Sequence, residues 1–204
     1  MNKKIRIAVL VSGNGTNLQA LINAQKNKVI KNGKIELVIS NNSNAFALKR
    51  AKKSKIPFEI ISKKECKKIE EIEEFERKLK EILKSYKIEL IVLAGFMSVL
   101  SKNFVKDYPK RIINIHPSLI PSFCGKNFYG IKVHEEAIKR GVKITGATTH
   151  FVNEIVDGGE IIMQKAVKVL DNDTAEKLQK RVMESAEWII LPKTVEKVCK
   201  SLIL

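Results

Sequence analysis

The chain has 204 residues, and its sequence predicts an α/β fold with a doubly wound, mostly parallel sheet. Short runs rich in Ile and Val alternate with longer segments of helical spacing, which is typical of right-handed βαβ crossovers. The predicted strands are Ile5–Val11, Ile35–Ser40, Phe58–Ile61, Leu90–Ala94 and Ile112–Ile115. The predicted helices between them lie near Asn17–Gln25, Asn44–Lys53, Glu65–Tyr86 and Ser101–Tyr108.

The last third of the chain predicts a different arrangement. A helix over Lys132–Arg140, closed by Gly141, precedes strands at Ile144–Val152 and Glu160–Val169. An Asp-Gly-Gly turn joins these strands, so we expect an antiparallel pair, followed by a long final helix with Thr174 as its N-cap. No repeat, linker or low-complexity segment divides the chain, so we expect one domain over residues 1–204.

Composition narrows the class of protein. With 44% hydrophobic and 29% charged residues, the composition is typical of a globular protein with a buried core. The apolar runs are shorter than the roughly 20 residues of a membrane span, and the first is too short for a signal peptide, so we expect a cytoplasmic protein without a membrane partner. The three cysteines, Cys66, Cys124 and Cys199, are scattered and predict neither a disulfide framework nor a CxxC metal site.

The net charge of +16 raises the question of nucleic acid. Lysines and glutamates interleave along the segment from Lys63 to Lys87, a pattern typical of a solvated helix face, and no aromatic stacking platform accompanies the charge. We therefore expect small anionic substrates rather than nucleic acid as principal partner. His116, His134 and His150 lack metal-ligand spacing, so no metal is predicted, and His134 beside Glu135 is expected to be solvated.

Polar residues follow the predicted strands at the edge where ligands bind in doubly wound sheets. The first group is Ser12-Gly-Asn-Gly-Thr-Asn-Leu18, at the start of a helix whose free N–H groups suit a phosphate. Leu18 replaces the third glycine of a dinucleotide fingerprint, which favours a monophosphate held by Gly15, Thr16 and Asn17. The alternative is a tight turn capped by Ser12 or Asn14.

Two further groups carry chemistry. Asn114 and His116 lie two residues apart on one strand, hence on one face, where an amide donates to an oxyanion and an imidazole moves a proton. Asp157 precedes Gly158 and Gly159 in a polar loop. The alternatives are a satisfied buried histidine and a carboxylate that only caps its turn.

Five motifs resemble the phosphoribosylglycinamide formyltransferases of purine biosynthesis. They are Val-Ser-Gly-Asn-Gly-Thr-Asn-Leu-Gln-Ala at 11–20, Leu-Ala-Gly-Phe-Met at 93–97, Asn-Ile-His-Pro-Ser-Leu at 114–119, Gly-Ala-Thr-Thr-His-Phe-Val at 146–152 and Val-Asp-Gly-Gly at 156–159. The resemblance implies a Rossmann-like formyltransferase fold, 10-formyltetrahydrofolate as co-substrate and formyl transfer to glycinamide ribonucleotide.

The resemblance also implies roles for individual residues. Asn114, His116 and Asp157 form the implied catalytic group, in which Asp157 raises the pKa of His116. The implied contacts to the phosphoribosyl glycinamide are Gly15, Thr16, Asn17, Pro117, Ser118 and Glu187, the last aligned through a one-residue insertion. The implied folate contacts are Met97, Ser98, Val99, Leu100, Asn114, Asn153 and Val156.

The chain departs from the family pattern at two places. Ile72 stands where the family can carry a folate-contacting arginine, and two alternatives stay open: Lys67 or Lys68 substitutes for it, or the contact is absent. Ser122–Tyr129 replaces the usual Pro-Gly-Leu-His loop, and we expect it to affect substrate closure rather than chemistry.

Three other functions stay open at this point. A formyltetrahydrofolate hydrolase usually carries an additional N-terminal domain, and a methionyl-tRNA formyltransferase a C-terminal one, which makes both less expected for this chain. A phosphate- or nucleic-acid-binding module would explain the glycines and lysines but would give no role to Asn114, His116 and Asp157. A monomer and a homodimer are equally compatible with the sequence.

Overall fold

The computed structural model describes residues 3–62 and 69–204, and the predicted fold class is confirmed. The strands are β1 Ile5–Val11, β2 Gly33–Ser40, β3 Phe58–Ile60, β4 Leu90–Leu93, β5 Ile112–His116, β6 Ile144–Phe151 and β7 Ile161–Lys168. The helices are α1 Thr16–Lys26, α2 Phe46–Lys53, α3 Ile69–Ser85, α4 Lys102–Lys106, α5 Ile131–Arg140, α6 Ala175–Val182 and α7 Trp188–Ser201, with a π-helical turn at Met183–Glu187.

The strands form one sheet in the order β3-β2-β1-β4-β5-β6-β7. Strands β1 to β5 pair in parallel, whereas β6 runs antiparallel to β5, and β7 antiparallel to β6. The carboxyl ends of β1, β4 and β5 therefore meet at one edge, where the glycine loop and the Asn114–His116 pair are placed.

Both faces of the sheet are covered, as continuous apolar strands require. Alternate residues of β1 show this: Ile7 and Val9 pack into one buried cluster, with α1 and α7, whereas Ala8 and Leu10 pack into the other, with α3 and α4. The outer face of α3 carries the i,i+4 ion pairs expected of a solvated helix, for example Arg77–Glu81 at 2.6 Å. Among the described residues, none of the helices is long and apolar enough to cross a membrane.

Two expectations about helices differ from the structure. Helix α5 buries Val133, His134 and Ala137, so the prediction that His134 is solvated is wrong: it lies on the apolar stripe at i, i+1 and i+4, not on the charged face of Glu135. The final helix does begin after Thr174, whose side chain accepts from the N–H of Lys177 at 3.3 Å. It is interrupted by the π-helical turn, which accommodates one extra residue in a helix.

Candidate active site

The glycine loop after β1 is tied to the segment that follows β4. The N–H of Ser12 donates to the carbonyl of Gly95 (3.1 Å), and the Ser12 hydroxyl accepts from the N–H of Met97 (2.8 Å). Gly15 is the N-cap of α1, with φ 68°, and no side-chain cap hydrogen bond occurs within the described part of the chain, so neither Ser12 nor Asn14 has the capping role of the alternative interpretation. The first-turn N–H groups of α1 are thus left for solvent or a ligand.

Gly15 is required by packing as well as by its positive φ. A Cβ built on Gly15 would lie 2.6 Å from the Cβ of Ala47 in α2, whereas one on Gly13 would meet nothing within 4 Å. Arg50 of α2 also donates from Nε to the carbonyl of Asn14 at 2.8 Å. The loop is therefore held from outside by α2, which leaves its inner side to the sheet edge.

Asn17 and Glu187, 170 residues apart in sequence, meet beside this loop. The Asn17 amide donates to Glu187 Oε2 at 2.7 Å, and both side chains are buried. Burial raises the pKa of the Glu187 carboxyl, and the hydrogen bond from Asn17 only partly opposes this. Asn17 Oδ1 is buried without a hydrogen-bond partner among the described residues, so this pair has unused polar capacity. Glu187 is the last residue of the π-helical turn.

Asn114 and His116 project from the same face of β5. In the register of the sheet, Asn114 pairs with Leu93 of β4 and with His150 of β6. Because β6 is antiparallel, the chain leaves it beside the start of β5 and must fold back to reach these side chains. Asp157 ends that return with φ 55°, a left-handed conformation that aspartate tolerates better than most residues.

The structure brings Asp157 to both predicted partners. Its Oδ2 lies 3.5 Å from His116 Nδ1, and its Oδ1 accepts from the Asn114 amide at 3.3 Å. The Gly125 N–H donates to Oδ2 at 2.9 Å. Burial alone would raise the pKa of Asp157, but hydrogen bonds from His150 and Gly125 and the neighbouring imidazoles lower it. The carboxyl is therefore ionised at neutral pH.

His116 is buried and oriented by its two neighbours. Nε2 donates to the carbonyl of Phe123 at 2.8 Å, which leaves Nδ1 facing Asp157. Burial is the largest effect and lowers the pKa of His116, while Asp157 and Phe123 raise it. Asp157 therefore acts on the pKa of His116 in the expected direction, but desolvation outweighs the carboxylate, so the pKa of His116 is lowered overall.

His150 is part of this cluster, although the sequence analysis gave it no role beyond its place in the motif at 146–152. Its Nδ1 donates to the carbonyl of its neighbour Phe151 at 2.8 Å, and its Nε2 lies 3.2 Å from the Asn114 amide nitrogen. Nε2 also lies 3.5 Å from Asp157 Oδ1. The signal for His150 is the antiparallel register that pairs it with Asn114, which depends on knowing how β5 and β6 pair.

Apart from Asn114, which lies in β5, the residues expected to contact folate lie in two segments on either side of that strand. Exposed apolar side chains occur in both, with Met97 53%, Val99 66% and Val156 46% accessible. Ser98 accepts from the Asn41 amide at 2.8 Å, and the Asn153 side chain folds its own loop by donating to Gly158 O at 3.1 Å. Leu100 packs into the buried core instead, so only its main chain is available to a ligand.

The remaining predicted contacts are placed as follows. Pro117 is partly exposed. The Ser118 hydroxyl is buried and donates to Ser122 O at 2.5 Å, and the Ser118 carbonyl accepts from the Thr148 hydroxyl at 2.7 Å. Ile72 is half-buried in α3, and Lys67 and Lys68 lie outside the described residues. Within residues 3–62 and 69–204, no group of three His, Cys, Asp or Glu side chains is placed to hold a metal ion.

Comparisons with known proteins agree with this geometry. The formyl transferase family model matches residues 5–195. Phosphoribosylglycinamide formyltransferase of Haemophilus influenzae is 39% identical over 191 residues, covering 94% of this chain and 85% of that protein. The trifunctional purine biosynthetic protein adenosine-3 of Homo sapiens is 42% identical over 196 residues, which is 96% of this chain but only 18% of that protein.

Solved structures give the same result. Glycinamide ribonucleotide transformylase 1 of Symbiobacterium toebii superposes with a TM-score of 0.87 at 36% identity, covering 97% of this chain and 89% of that one. A formyltetrahydrofolate deformylase of Pseudomonas syringae superposes with a TM-score of 0.84 at 26% identity, over 98% of this chain and 62% of that one. The chain belongs to the formyl transferase family, and its resemblance to the phosphoribosylglycinamide formyltransferases within that family is confirmed.

Proposed function

We propose that the protein transfers a formyl group from 10-formyltetrahydrofolate to the amine of glycinamide ribonucleotide. The observation that carries the proposal is the convergence of Asn114, His116 and Asp157 within hydrogen-bonding or near hydrogen-bonding reach of one another, at the sheet edge that also holds the glycine loop. An amide donor, an imidazole and a buried carboxylate supply what acyl transfer to an amine requires.

The spacing of the sheet supports an acceptor with a phosphate at one end and an amine at the other. Leu10 of β1 pairs with Leu93 of β4, which pairs with Asn114 of β5. Two strand spacings separate Leu10 from Asn114 by about 10 Å, and the glycine loop begins two residues after Leu10. That distance suits a ribose and a glycinamide group between the two. The N–H groups near Thr16 would hold the phosphate, and Asn17 with Glu187 would contact the ribose.

The exposed apolar side chains flanking β5 support a flat aromatic donor. Met97 and Val99 on one side, and Val156 on the other, would cover the pterin, with the formyl group directed at Asn114. Main-chain groups of residues 97–100 and 153–156 would supply the polar contacts. Burial of the donor would also exclude water, which would otherwise compete as acceptor.

In the first chemical step, the amine nitrogen attacks the formyl carbon and the carbonyl electrons move to oxygen. The Asn114 amide donates to this oxyanion. A neutral His116 accepts a proton as negative charge develops beside it, because the oxyanion and Asp157 both favour the imidazolium. The proton comes from the attacking amine, directly or through water.

In the second step, the oxyanion re-forms the carbonyl and the bond from carbon to the folate N10 breaks. N10 takes a proton from His116 or from water, so the proton lost by the amine balances the one gained by the leaving group. Tetrahydrofolate and the formylated amine are the products. Asp157 orients the imidazole and stabilises its charged form throughout.

Substitutions at the cluster test these roles. Asn114→Ala removes the oxyanion donor and is expected to lower kcat by about 10²–10³. Asp157→Asn keeps the shape but removes the charge and is expected to lower kcat by at least about 10². Initial rates of formyl transfer to glycinamide ribonucleotide measure both, with melting temperature as the check on folding.

Asp171→Asn is the matched control, since its carboxylate is 90% exposed and remote from the cluster. It is expected to keep the wild-type rate. Rates within tenfold of wild type for both Asn114→Ala and Asp157→Asn would contradict the proposed mechanism.

We also propose that residues 1–204 act as one formyltransferase domain in the cytoplasm, as a monomer or homodimer, with small molecules as partners. The similarity to the Haemophilus influenzae relative spans 94% of this chain and 85% of that protein, which supports the assignment of a single domain.

A further inference from the structure

Segment 122–129 contacts two ionisable members of the cluster, His116 and Asp157, through its main chain. The Phe123 carbonyl accepts from His116 Nε2 at 2.8 Å, and the Gly125 N–H donates to Asp157 Oδ2 at 2.9 Å. The sequence suggested a role for this segment in substrate closure only. These two contacts connect it to the reacting groups themselves.

Gly125 has a backbone conformation that favours glycine. Its φ of 87° is in the left-handed region, and a Cβ built on it would meet nothing within 4 Å. Glycine is therefore favoured here by the backbone angle and not by a lack of space. Phe123 and Asn127 are left-handed too, with φ 49° and 74°. The chain is wound so that the Gly125 N–H points at the carboxylate.

The groups around Asp157 come from four elements. His116 of β5 and His150 of β6 each lie 3.5 Å from one of its oxygens, and the Cys124 thiol lies in the same segment as Gly125. His134 of α5 lies near enough for the charge of His116 to lower the pKa of His134. At 2.9 Å, the Gly125 contact is shorter than either imidazole contact and the 3.3 Å contact from Asn114. It also does not depend on the ionisation of any neighbour.

We propose that Gly125 is a positioning residue whose main-chain N–H keeps the Asp157 carboxylate ionised and turned toward Nδ1 of His116. The proposal rests on the function proposed above. Without this donor, the buried carboxylate loses its closest hydrogen bond and takes up a proton at higher pH. An uncharged Asp157 no longer favours the imidazolium, so the chemical step slows while substrate binding is unaffected.

Two variants remove the donor in different ways. Gly125→Ala disfavours φ 87° and rotates the N–H away. A backbone ester at position 125, introduced by ligation at Cys124, deletes the N–H and leaves φ free. Gly141→Ala is the matched control, because Gly141 has φ 73°, has open space around its Cβ position and ends α5 away from the cluster. Both alanine variants are expected to lose about 2–4 °C in Tm.

The first measurement is the titration of Asp157 in the substrate-free protein, by NMR of ¹³C-labelled aspartate assigned with Asp157→Asn. We expect the Asp157 midpoint to rise by about one pH unit in both Gly125 variants and to stay unchanged in Gly141→Ala. The second is steady-state kinetics, in which kcat is expected to fall about tenfold and KM to change less than twofold.

An unchanged Asp157 midpoint in both Gly125 variants overturns the positioning role, as does a loss of kcat equal to that of Gly141→Ala. Because the titration needs no substrate, it is independent of the proposed activity. A shifted midpoint in a protein that does not formylate glycinamide ribonucleotide would support the positioning of Asp157 and overturn the proposed function alone.

Discussion

His134 is a buried, ionisable residue that the chemistry does not use. Both ring nitrogens are buried without a hydrogen-bond partner among the described residues, and burial, aided by the charge of His116, lowers the pKa of His134 to about 4. The unfolded chain binds this proton near pH 6.5, whereas the folded protein binds it near the lower value. Stability is therefore complete above about pH 6.5 and is lost as the pH falls toward 4.

Replacing this histidine should make the protein less sensitive to acid. His134→Leu fills a similar volume without a titratable group. The free energy of unfolding should therefore fall about 2 kcal/mol less between pH 7 and pH 5 in this variant than in the wild type. Urea unfolding at both pH values measures the difference. Val133→Ala, at the adjacent buried position, should destabilise the protein equally at both values. An acid sensitivity in His134→Leu equal to that of wild type would show that His134 ionises normally.

At the scale of elements, the glycine loop shows how two neighbouring glycines serve different needs. Gly15 is fixed by its positive φ and by the 2.6 Å approach to Ala47, whereas Gly13 has open space. The contact with Ala47 sets where α1 begins, and hence where its free N–H groups point. The loop can bind a phosphate only if this packing is kept.

The two positions should therefore differ on substitution. Gly15→Ala forces α1 and α2 apart and is expected to cost about 1–3 kcal/mol of stability and to raise KM for glycinamide ribonucleotide about tenfold. Gly13→Ala should leave both within about twofold of wild type, because nothing obstructs its Cβ. Chemical denaturation measures the stability of the two variants, and initial-rate kinetics measure their KM for glycinamide ribonucleotide. Equal KM values in the two variants would refute the assignment of the α1 terminus to the phosphate.

Most of the strands and helices could be predicted from the sequence, because buried strands appear in it as short runs of apolar residues. The predicted bounds Ile5–Val11 match β1 residue for residue, and the predicted Ile144–Val152 exceeds β6 by one residue. The burial of His134, the π-helical turn and the role of His150 were not predicted. Each depends on packing between distant segments, which local spacing does not encode.

The site was predicted to the same degree. Asn114, His116 and Asp157 were identified from their motifs, and the structure places them together. The net effect of burial on the pKa of His116 could not be predicted from the sequence, since desolvation depends on how distant segments pack around the imidazole. Nor could the sequence show that Gly125 donates to Asp157, because that contact depends on a φ value rather than on a side chain.

The whole molecule carries a net charge of +16, distributed over a surface where lysines outnumber acids. Both proposed substrates are anions, so their capture should be accelerated by this field. We expect kcat/KM for glycinamide ribonucleotide to fall about tenfold between 10 mM and 300 mM added salt, while kcat changes little. Initial rates at fixed pH measure this, with sucrose of equal osmolality as the control. A kcat/KM independent of salt would exclude electrostatic steering.

The acceptor is the central claim, because the same three residues suit formyl transfer to an amine or to water. Its most direct measurement follows the ¹⁴C label of 10-formyltetrahydrofolate when glycinamide ribonucleotide, initiator tRNA and water compete in one reaction. The account predicts label on glycinamide ribonucleotide at a rate at least about 100-fold above either competitor. Labelled formate or labelled tRNA as the main product would contradict it.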